Sequence, residues 1–533
     1  MKKKYKLFAN GNIYTVNKIN PKAEAVVTGN GKIEFAGNLS DAKKRLGFSN
    51  YEFIDLRGST MLPGFIDSHL HLLIGARYLT NINLSEAIDK KSFQRIIREF
   101  TDENKFEWYL GGNWNEENFS GGKYPDKSWI DEVIPDVPVF LTKSDLHMGL
   151  ANAAALRMAN ISEKTKNPPG GIIERHGETG KPTGILKDNA MRLILDLVPQ
   201  ENDEERKKNI LKGMKFLNSF GVTSAHDLAM ENYFHNYEEL FYENKLSLRI
   251  NYIPLIESVE KFSRFKISGE KYNHFLKRIA LKSFADGSLG SSTAWFFDGY
   301  FDERENRGLS SEIFSGGALK KLAVNADNYN INLLIHAIGD RANHEIVNLY
   351  EEMNRINGGK ERRNRIEHCQ HIAESDFIRF AENKIIASMQ PYHLAFDGSW
   401  CERKIGKERL KNTFPISSLA KRNVKLIFGS DWPVVEPSPL KGIAAAATRK
   451  LESSDLSFIN KEKISVMQAV EAYTINAAFA EYEEKFKGSI EVGKFADFVI
   501  LDRDIFHINP DGIKKTHVEA VVLNGKLTTE GNI

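Results

Sequence analysis

Two histidines stand one residue apart near the start of the chain, in the stretch PGFIDSHLHLL that covers residues 63–73. Successive side chains of a β-strand point to opposite faces, so His69 and His71 would share one face if this stretch is a strand. Two neutral imidazoles on one face can bind a single divalent cation such as zinc. A chance pair in a hairpin or a surface strand is the alternative, and the rest of the chain must decide between them.

Four more residues that can bind metals or transfer protons lie on or just after other apolar runs. They are Lys282 in IALKSFAD, His336 in INLLIHAIGD, His368 in RIEHC and Asp431 in VKLIFGSDWP. Imidazole nitrogens and a carboxylate oxygen form a donor set that suits zinc or a similar metal and leaves an open position for water. Their joint occurrence at predicted strand ends favours a metal site.

Each of these residues has a structural alternative when it is taken alone. His336 would fit a hydrogen-bonded core histidine, and Glu367 or Cys369 would be able to contribute in place of His368. Asp431 would fit a helix N-cap. Lys282 would extend its ammonium group to water, or, if buried, would need its charge paired or removed.

The elements that position these residues alternate between short apolar runs and helix-like segments such as GALKKLAVNADNYN. This alternation predicts parallel βαβ units of the α/β class, and eight units predict a (β/α)8 TIM barrel, whose chemistry lies at the carboxyl ends of its strands. The predicted strands cover residues 65–71, 221–227, 248–256, 279–286, 331–340, 365–369, 385–391 and 424–433.

The two ends of the chain differ from this pattern because both are rich in strand signals around Asn-Gly turns. Neither end has enough strands for a core of its own. We therefore predict a small β-sandwich domain built from residues 1–60 and 488–533, beside a barrel domain over residues 61–487. The gap after the first barrel strand is too long for a loop, so residues ~75–210 are predicted to form an inserted subdomain.

The composition is that of an ordinary globular protein, with 533 residues, 41% hydrophobic and 27% charged. The net charge of +2, from 73 basic and 71 acidic residues, gives no support for nucleic-acid or membrane partners. Two cysteines without C-x-x-C spacing and no recognisable secretion signal favour the cytoplasm. The expected partner is a small-molecule substrate. Whether the chain forms a homo-oligomer stays open, because nothing in the sequence indicates an oligomeric state.

The motifs together resemble a known family. PGFIDSHLH, LKSFADGSLGS, IHAIGDRA, IEHCQH, SMQP, FGSDWPV and GSIEVGKFADFVILD span nearly the whole chain. They are similar to the amidohydrolase superfamily, and within it to the family 3 group of YtcJ-like proteins and N-substituted formamide deformylases. The resemblance implies a metal-dependent (β/α)8 barrel with a β-sandwich built from both termini.

The resemblance also implies roles for the candidate ligands. His69, His71 and Asp431 would bind a first divalent metal, expected to be zinc, and His336 and His368 a second. Lys282 would be carboxylated by carbon dioxide and would bridge the two ions, which removes the cost of a buried ammonium group. The number of ions, one or two, stays open.

The chemistry that follows is hydrolysis of a carbon–nitrogen bond outside peptides, in an amide, a formamide or a cyclic amide. Metal-bound hydroxide would attack the carbonyl carbon, and Asp431 would be the general base that moves the proton to the leaving nitrogen. A deaminase on the same centre, an isomerase or lyase, and a non-catalytic amidohydrolase-like assembly protein are the alternatives.

Four further residues are candidates for substrate contact. They are Trp114 in GGNWNEE, His147 in KSDLHMGLANAAAL, Asp286 after the Lys282 strand and Gln390 after the seventh strand. Each also has a structural interpretation in packing, a turn or a strand cap. His226 ends the second predicted strand, where we expect packing or a hydrogen bond to a ligand rather than metal binding.

Overall fold

The structure is a computed structural model that describes residues 5–119, 122–199, 201–256, 274–452, 454 and 456–528. The chain has mixed α/β structure, as predicted, and its strands form four sheets in the described ranges. The outermost residues of the predicted terminal domain, 1–4 and 529–533, lie outside the described part of the chain.

The strands, numbered in chain order, are β1 (Tyr5–Tyr14), β2 (Lys22–Gly29), β3 (Lys32–Gly37), β4 (Tyr51–Asp55), β5 (Thr60–Pro63), β6 (Phe65–Leu70), β7 (Ile82–Asn83), β8 (Tyr109–Trp114), β9 (Val139–Lys143), β10 (Met148–Ala151), β11 (Gly171–Arg175), β12 (Pro182–Asp188), β13 (Val222–Ala229), β14 (Arg249–Pro254), β15 (Leu276–Lys277), β16 (Ala280–Phe284), β17 (Asn332–Ala337), β18 (Arg365–His368), β19 (Ile386–Met389), β20 (Leu426–Phe428), β21 (Phe498–Leu501), β22 (Val518–Leu523) and β23 (Lys526–Leu527).

The α-helices of the described residues are Leu39–Leu46, Leu72–Tyr78, Lys90–Glu103, Ser128–Asp131, Ala153–Met158, Arg192–Leu195, Asp203–Ser219, Phe234–Tyr242, Glu312–Ser315, Ala318–Asn328, Asp340–Asn357, Asp376–Glu382, His393–Asp397, Cys401–Ile405, Lys407–Leu410, Ile416–Ala420, Pro439–Thr448, Val466–Ala472 and Ile475–Ala480.

Two parallel sheets contain the strands that carry the candidate ligands. One has the order β15-β14-β13-β6, and the other has the order β16-β17-β18-β19-β20. These strands overlap all eight predicted runs and are mostly shorter than predicted. Between the sheets, Leu255 forms a parallel bridge with Lys282, and the Asp431 amide donates to the His69 carbonyl at 2.6 Å.

These strands are buried on both faces, which is why their sequences read as nearly continuous apolar runs. Every residue of β17 is buried, including His336. The helix Asp340–Asn357 follows β17 and buries Ile346, Tyr350 and Met353 at helical spacing against the same core. A polar side chain in such a strand has no access to bulk water and needs a partner inside the protein.

The insertion after β6 contains a six-stranded sheet with the order β11-β12-β10-β9-β8-β7. The strands β7, β8 and β9 pair in parallel, whereas β9 to β12 pair antiparallel. Its core includes Phe93, Ile97, Trp114, Leu141 and Ile185. Residues 82–188 therefore have their own sheet and core inside the predicted insertion.

The two ends of the chain share one sheet of eight strands, in which β21 pairs antiparallel with β5. The strand β1 pairs with β2, β4 and β5, which joins the sheet into one hydrogen-bonded unit. The sheet includes residues 61–63, beyond the predicted border at residue 60. The division of the chain into domains stays a prediction.

Within the described ranges, none of the helices combines the length and the apolar character that a membrane crossing requires.

We expect Gly112→Ala to lower the thermal unfolding midpoint clearly. Gly112 has φ +134°, and a Cβ there would overlap the backbone of Thr142 on the neighbouring strand. Strain of this kind costs on the order of 1–3 kcal/mol. Gly177→Ala is the matched control, because nothing lies within 4 Å of its Cβ and its φ is not positive. Equal midpoints for the two variants would contradict this account of the insertion.

Candidate metal centre

His69 and His71 lie at the carboxyl end of β6 and converge on Asp431. The Nε2 atom of each histidine lies 3.3 Å from Asp431 Oδ1. The strand ends at Leu70, and His71 begins the turn into the helix Leu72–Tyr78. The sequence predicts that the two imidazoles share one face of a strand. Instead, only His69 lies on the strand, and the two rings reach the same point from the strand and from the turn that follows it.

Hydrogen-bond partners fix which nitrogen of each ring carries the proton. His71 Nδ1 lies 2.6 Å from the Leu228 carbonyl, which only accepts, so Nδ1 is the donor. His69 Nδ1 lies 2.5 Å from Glu367 Oε2, which likewise accepts from a neutral or charged ring. With Nδ1 as the donor of each ring, Nε2 of each ring faces the Asp431 carboxylate and is the atom that can bind a cation, either a proton or a metal ion.

This convergence places acceptor atoms against one another in a buried space. His69 Nε2 is buried and has no hydrogen-bond partner. Facing lone pairs repel unless a cation lies between them, and two tetrahedral zinc ligands with bonds of ~2.0–2.1 Å lie ~3.3 Å apart. The donor set and its spacing therefore fit a zinc-like ion.

A second group of possible ligands shares Asp431 and includes a histidine that the sequence analysis missed. Ligand atoms of His368, His393 and Asp431 lie within 4.8 Å of one another. His368 Nδ1 is 4.0 Å from Asp431 Oδ2 and has no hydrogen-bond partner. His393 begins the helix after β19, and its Nε2 lies 3.1 Å from the Ser430 carbonyl. Its position just after the seventh predicted strand was the available signal.

His336 and Lys282 lie on neighbouring strands beside this group. His336 Nε2 is 3.0 Å from the Gly287 carbonyl, and its ring centroid is 4.4 Å from that of His368. Lys282 pairs with Leu334, two residues before His336, so it lies deeper in the strand layer. Its Nζ is 4.8 Å from the centroid of the Phe284 ring.

The protonation states of the buried groups suit metal binding. Burial, with a neighbouring imidazole, holds the pKa values of His336 and His368 well below the usual range. Burial would raise the pKa of Asp431, but the adjacent His69 and His71 rings hold it well below its usual range. Neutral imidazoles and an ionised carboxylate are the ligand forms that bind metals.

The pKa values of His69 and Lys282 are shifted in other ways by the same buried surroundings. Burial alone would lower the pKa of His69, but Asp431 and Glu367 raise it, because a proton relieves the facing lone pairs as a metal ion would. Burial lowers the pKa of Lys282 to about 8, which increases its neutral fraction near neutral pH.

The backbone at the centre adopts conformations that side chains usually avoid. His368, Cys369 and Asp431 have φ values of 73°, 48° and 60°, in the left-handed region. Non-glycine residues there cost on the order of 1–3 kcal/mol and cluster at functional sites. Asp431 is therefore not the N-cap of a helix, the structural alternative weighed for it.

The predicted substrate-contact residues differ in what their polar atoms do. Trp114 is buried in the insertion core and donates to the Leu141 carbonyl at 2.8 Å. Asp286 accepts from three backbone amides, those of Trp295, Ile338 and Gly339. Gln390 is buried, and its Nε2 has no partner. Contact with a substrate stays a prediction for all of them.

His147 forms a pair with Asp188 close to the centre. Its Nδ1 lies 2.7 Å from Asp188 Oδ1, and its ring centroid is 5.2 Å from that of His336. Burial would lower its pKa, but Asp188 raises the pKa above the ordinary value. The insertion therefore presents a basic imidazole beside the candidate ligands.

The family profile described as the amidohydrolase family matches residues 52–529. Protein LONG AFTER FAR-RED 3 of Arabidopsis thaliana is 36% identical over 93% of this chain and 86% of its own length. The putative amidohydrolase YtcJ of Bacillus subtilis is 31% identical over 98% of both chains. The N-substituted formamide deformylase of Arthrobacter pascens is 27% identical over 98% of both chains.

Among solved structures, a metal-dependent hydrolase from Pyrococcus furiosus without an assigned substrate has the same architecture. Its TM-score is 0.74 at 25% identity, and the match covers 94% of this chain and all of that one.

We expect added zinc to raise the thermal unfolding midpoint of metal-free protein, because a ligand at ~100 times its Kd stabilises the folded state by ~2.7 kcal/mol. His69→Ala and His71→Ala should lose this response, since each removes an Nε2 from the Asp431 group. His517→Ala is the control, because His517 is an exposed histidine whose ring pairs with Asp502. A full zinc response in His69→Ala would exclude the proposed position.

Proposed function

The chain belongs to the amidohydrolase family, and on that premise we propose that it is a metal-dependent hydrolase of carbon–nitrogen bonds other than peptide bonds. Its substrate class would be an amide, a formamide or a cyclic amide. The observation that carries the proposal is the approach of two imidazole Nε2 atoms, from His69 and His71, to one oxygen of Asp431 at 3.3 Å each.

We propose that the two parallel sheets form a single (β/α)8 barrel with its mouth at the candidate centre. The bridge between Leu255 and Lys282 supports one seam. At the other seam, the Asp431 amide donates to the His69 carbonyl at 2.6 Å, and the His71 amide donates to the Trp432 carbonyl at 2.8 Å. The terminal sheet and the insertion would then be additions to this barrel.

In this proposal His69, His71 and Asp431 hold the first divalent ion, expected to be zinc. His336 and His368 would hold a second ion, and a carboxylated Lys282 would be a further ligand. When bound, such ions acidify a water molecule and polarise a substrate carbonyl. The low pKa values of His336 and His368 support the neutral form that ligation needs.

Asp431 is the proposed catalytic residue because it offers two oxygens with different surroundings. Oδ1 faces His69 and His71, whereas Oδ2 is 4.0 Å from His368. The carboxylate is ionised at neutral pH, so Oδ2 can accept a proton from water and return it to the leaving nitrogen.

Substrate orientation is proposed to come from Gln390 and His147, with Asp286 and Trp114 as further contacts. Gln390 Nε2 is a buried donor without a partner among the described residues. Such a donor is suited to bind the carbonyl oxygen of a substrate. His147, held by Asp188, is positioned to donate to an anionic or carbonyl oxygen. A small molecule is therefore the proposed binding partner.

We keep the cytoplasm as the proposed location, on the basis of the cysteines. Cys369 and Cys401 are both buried, free thiols. Unpaired buried thiols are typical of proteins in reducing compartments.

We expect Asp431→Asn to reduce the turnover of an amide substrate by at least ~100-fold, because it removes the proton acceptor. Turnover should be measured with the zinc-loaded protein on a panel of formamides, linear amides, cyclic amides and amidines. Asp41→Asn, which changes an exposed carboxylate, is the control and should retain wild-type turnover.

The same panel separates the alternatives. Release of ammonia from an amidine, with no amide cleaved, would favour a deaminase on the same centre. Zinc binding without turnover of any compound would favour a non-catalytic protein. Full activity of Asp431→Asn would exclude the assigned catalytic role.

We expect the intact wild-type protein to carry the mass of one added carbon dioxide, lost on acidification. The neutral Nζ of Lys282 attacks the carbon of carbon dioxide. The N–C bond forms as one C=O π bond opens to a carboxylate oxygen, and the proton lost from nitrogen goes to solvent. Burial favours this step, because it lowers the pKa of Lys282 to about 8. Native mass spectrometry would detect the addition, and Lys282→Met is the control. An unmodified wild-type mass would count against the bridging role.

A further inference from the structure

A connected array of buried charged and polar side chains begins at His69 and extends away from Asp431 into the protein. It passes through Glu367, Arg365 and His226 and ends at Glu481. All five side chains are almost completely buried. The array begins at the carboxyl end of β6 and reaches Glu481, which lies before strand β21 of the terminal sheet.

The first link holds the imidazole of His69. Glu367 Oε2 accepts from His69 Nδ1 at 2.5 Å. Arg365 Nη2 donates to the same Oε2 at 3.0 Å, and Arg365 Nε lies 2.7 Å from Oε1. Oε2 of Glu367 therefore accepts from both His69 and Arg365, whereas Oε1 is held beside Arg365 Nε by the ion pair without a hydrogen bond. Neither oxygen is directed at Asp431.

The guanidinium group of Arg365 is itself fixed on several sides. Nη2 also lies 2.6 Å from the Ser68 carbonyl and 3.0 Å from Ser388 Oγ, so its two hydrogens are shared among three acceptors, Glu367 Oε2 included. Its planar fork matches the carboxylate in a two-point geometry, which restricts rotation of Glu367 more than a lysine would. The orientation of Glu367 is therefore set by three strands at once.

The second half of the array contains His226 and Glu481, and two lysines lie beside the Glu481 carboxylate. Arg365 Nη1 donates to His226 Nδ1 at 2.8 Å, and since a guanidinium only donates, the proton of His226 lies on Nε2. That nitrogen is 3.5 Å from Glu481 Oε2. Lys487 lies 2.6 Å from the other oxygen of Glu481, and Lys277 lies 3.4 Å from Oε2.

Stability alone does not account for such a buried array. Apolar side chains of similar volume often give the same or greater stability than a buried ion pair. What an apolar residue at position 367 would not provide is an acceptor for His69 Nδ1–H. A carboxylate there selects the tautomer in which Nε2 carries the lone pair and fixes the direction of that lone pair.

We propose that Glu367 is a positioning residue for the metal centre, which holds His69 with Nε2 toward Asp431, and that Arg365 acts through Glu367. This inference rests on the proposed function, because it takes His69 as a metal ligand. It goes beyond that proposal by assigning a role to two residues that touch neither Asp431 nor a substrate.

The test measures zinc affinity of metal-free protein by competition with a chelating dye, independently of activity. We expect Glu367→Gln to weaken zinc binding ~10–100-fold, because a neutral amide accepts more weakly from His69 Nδ1–H and its NH2 group would face the Arg365 donors. The absorption spectrum of the cobalt-loaded variant should also change, since it reports ligand geometry. Affinity within ~2-fold of wild type together with an unchanged spectrum would overturn the proposal.

A double-substitution cycle tests whether Arg365 acts through Glu367. Arg365→Met alone should weaken zinc binding, but Glu367→Gln combined with Arg365→Met should be no weaker than Glu367→Gln alone. Losses that multiply would show independent effects and would overturn the assigned link. Arg249→Met is the control, because it breaks another buried ion pair, with Asp497 at 2.6 Å, away from the candidate ligands.

Two further variants keep the outcome decisive. If Glu367→Gln does not fold, Glu367→Asp replaces it, because it keeps the charge for Arg365 but withdraws the carboxylate from His69. Zinc binding at least ~10-fold weaker would then support the proposal, and unchanged binding would overturn it.

His69→Ala separates this inference from the proposed function. If His69→Ala loses zinc while the position 367 variants bind normally, only the inference fails; if His69→Ala keeps zinc, the ligand set itself fails.

Discussion

The structure depends on one electrostatic constraint, the meeting of three lone pairs in a buried space. His69, His71 and Asp431 each direct an acceptor atom at the others, at separations of 3.3 Å between nitrogen and oxygen. Without a cation this arrangement is repulsive, and burial removes the water that would screen it. The surroundings therefore have to hold the three groups against their own repulsion until a positive charge is supplied.

Several features of the fold serve that purpose. The Leu228 carbonyl and the Glu367 carboxylate hold the two rings through their Nδ1 atoms. Asp431 is held in a left-handed backbone conformation by its amide, which donates to the His69 carbonyl. Parallel strands buried on both faces provide the rigid frame, since their backbone groups are already paired along the sheet.

The insertion contributes polar side chains beside the candidate ligands. Its sheet brings His147 and Asp188 to the edge of the candidate centre, with their own core behind them. In the proposed function, the candidate ligands lie at strand ends, whereas the insertion and the loops would govern substrate access. This division fits relatives that match the chain over nearly all its length at 27–36% identity while bearing different names.

The sequence by itself determined the α/β class, the approximate positions of the eight parallel strands that carry or adjoin the candidate ligands, and the donor types at their ends. It did so because buried parallel strands require apolar runs, in which a histidine, lysine or aspartate is conspicuous. Only the tertiary structure decided which of these groups meet. It placed His71 beyond the strand, brought His393 into the group, and directed Glu367 at His69 and Arg365 instead of at Asp431. Spacing along a chain fixes the face of a strand, but contacts between groups ~160 to ~360 residues apart arise only when the chain adopts its tertiary structure.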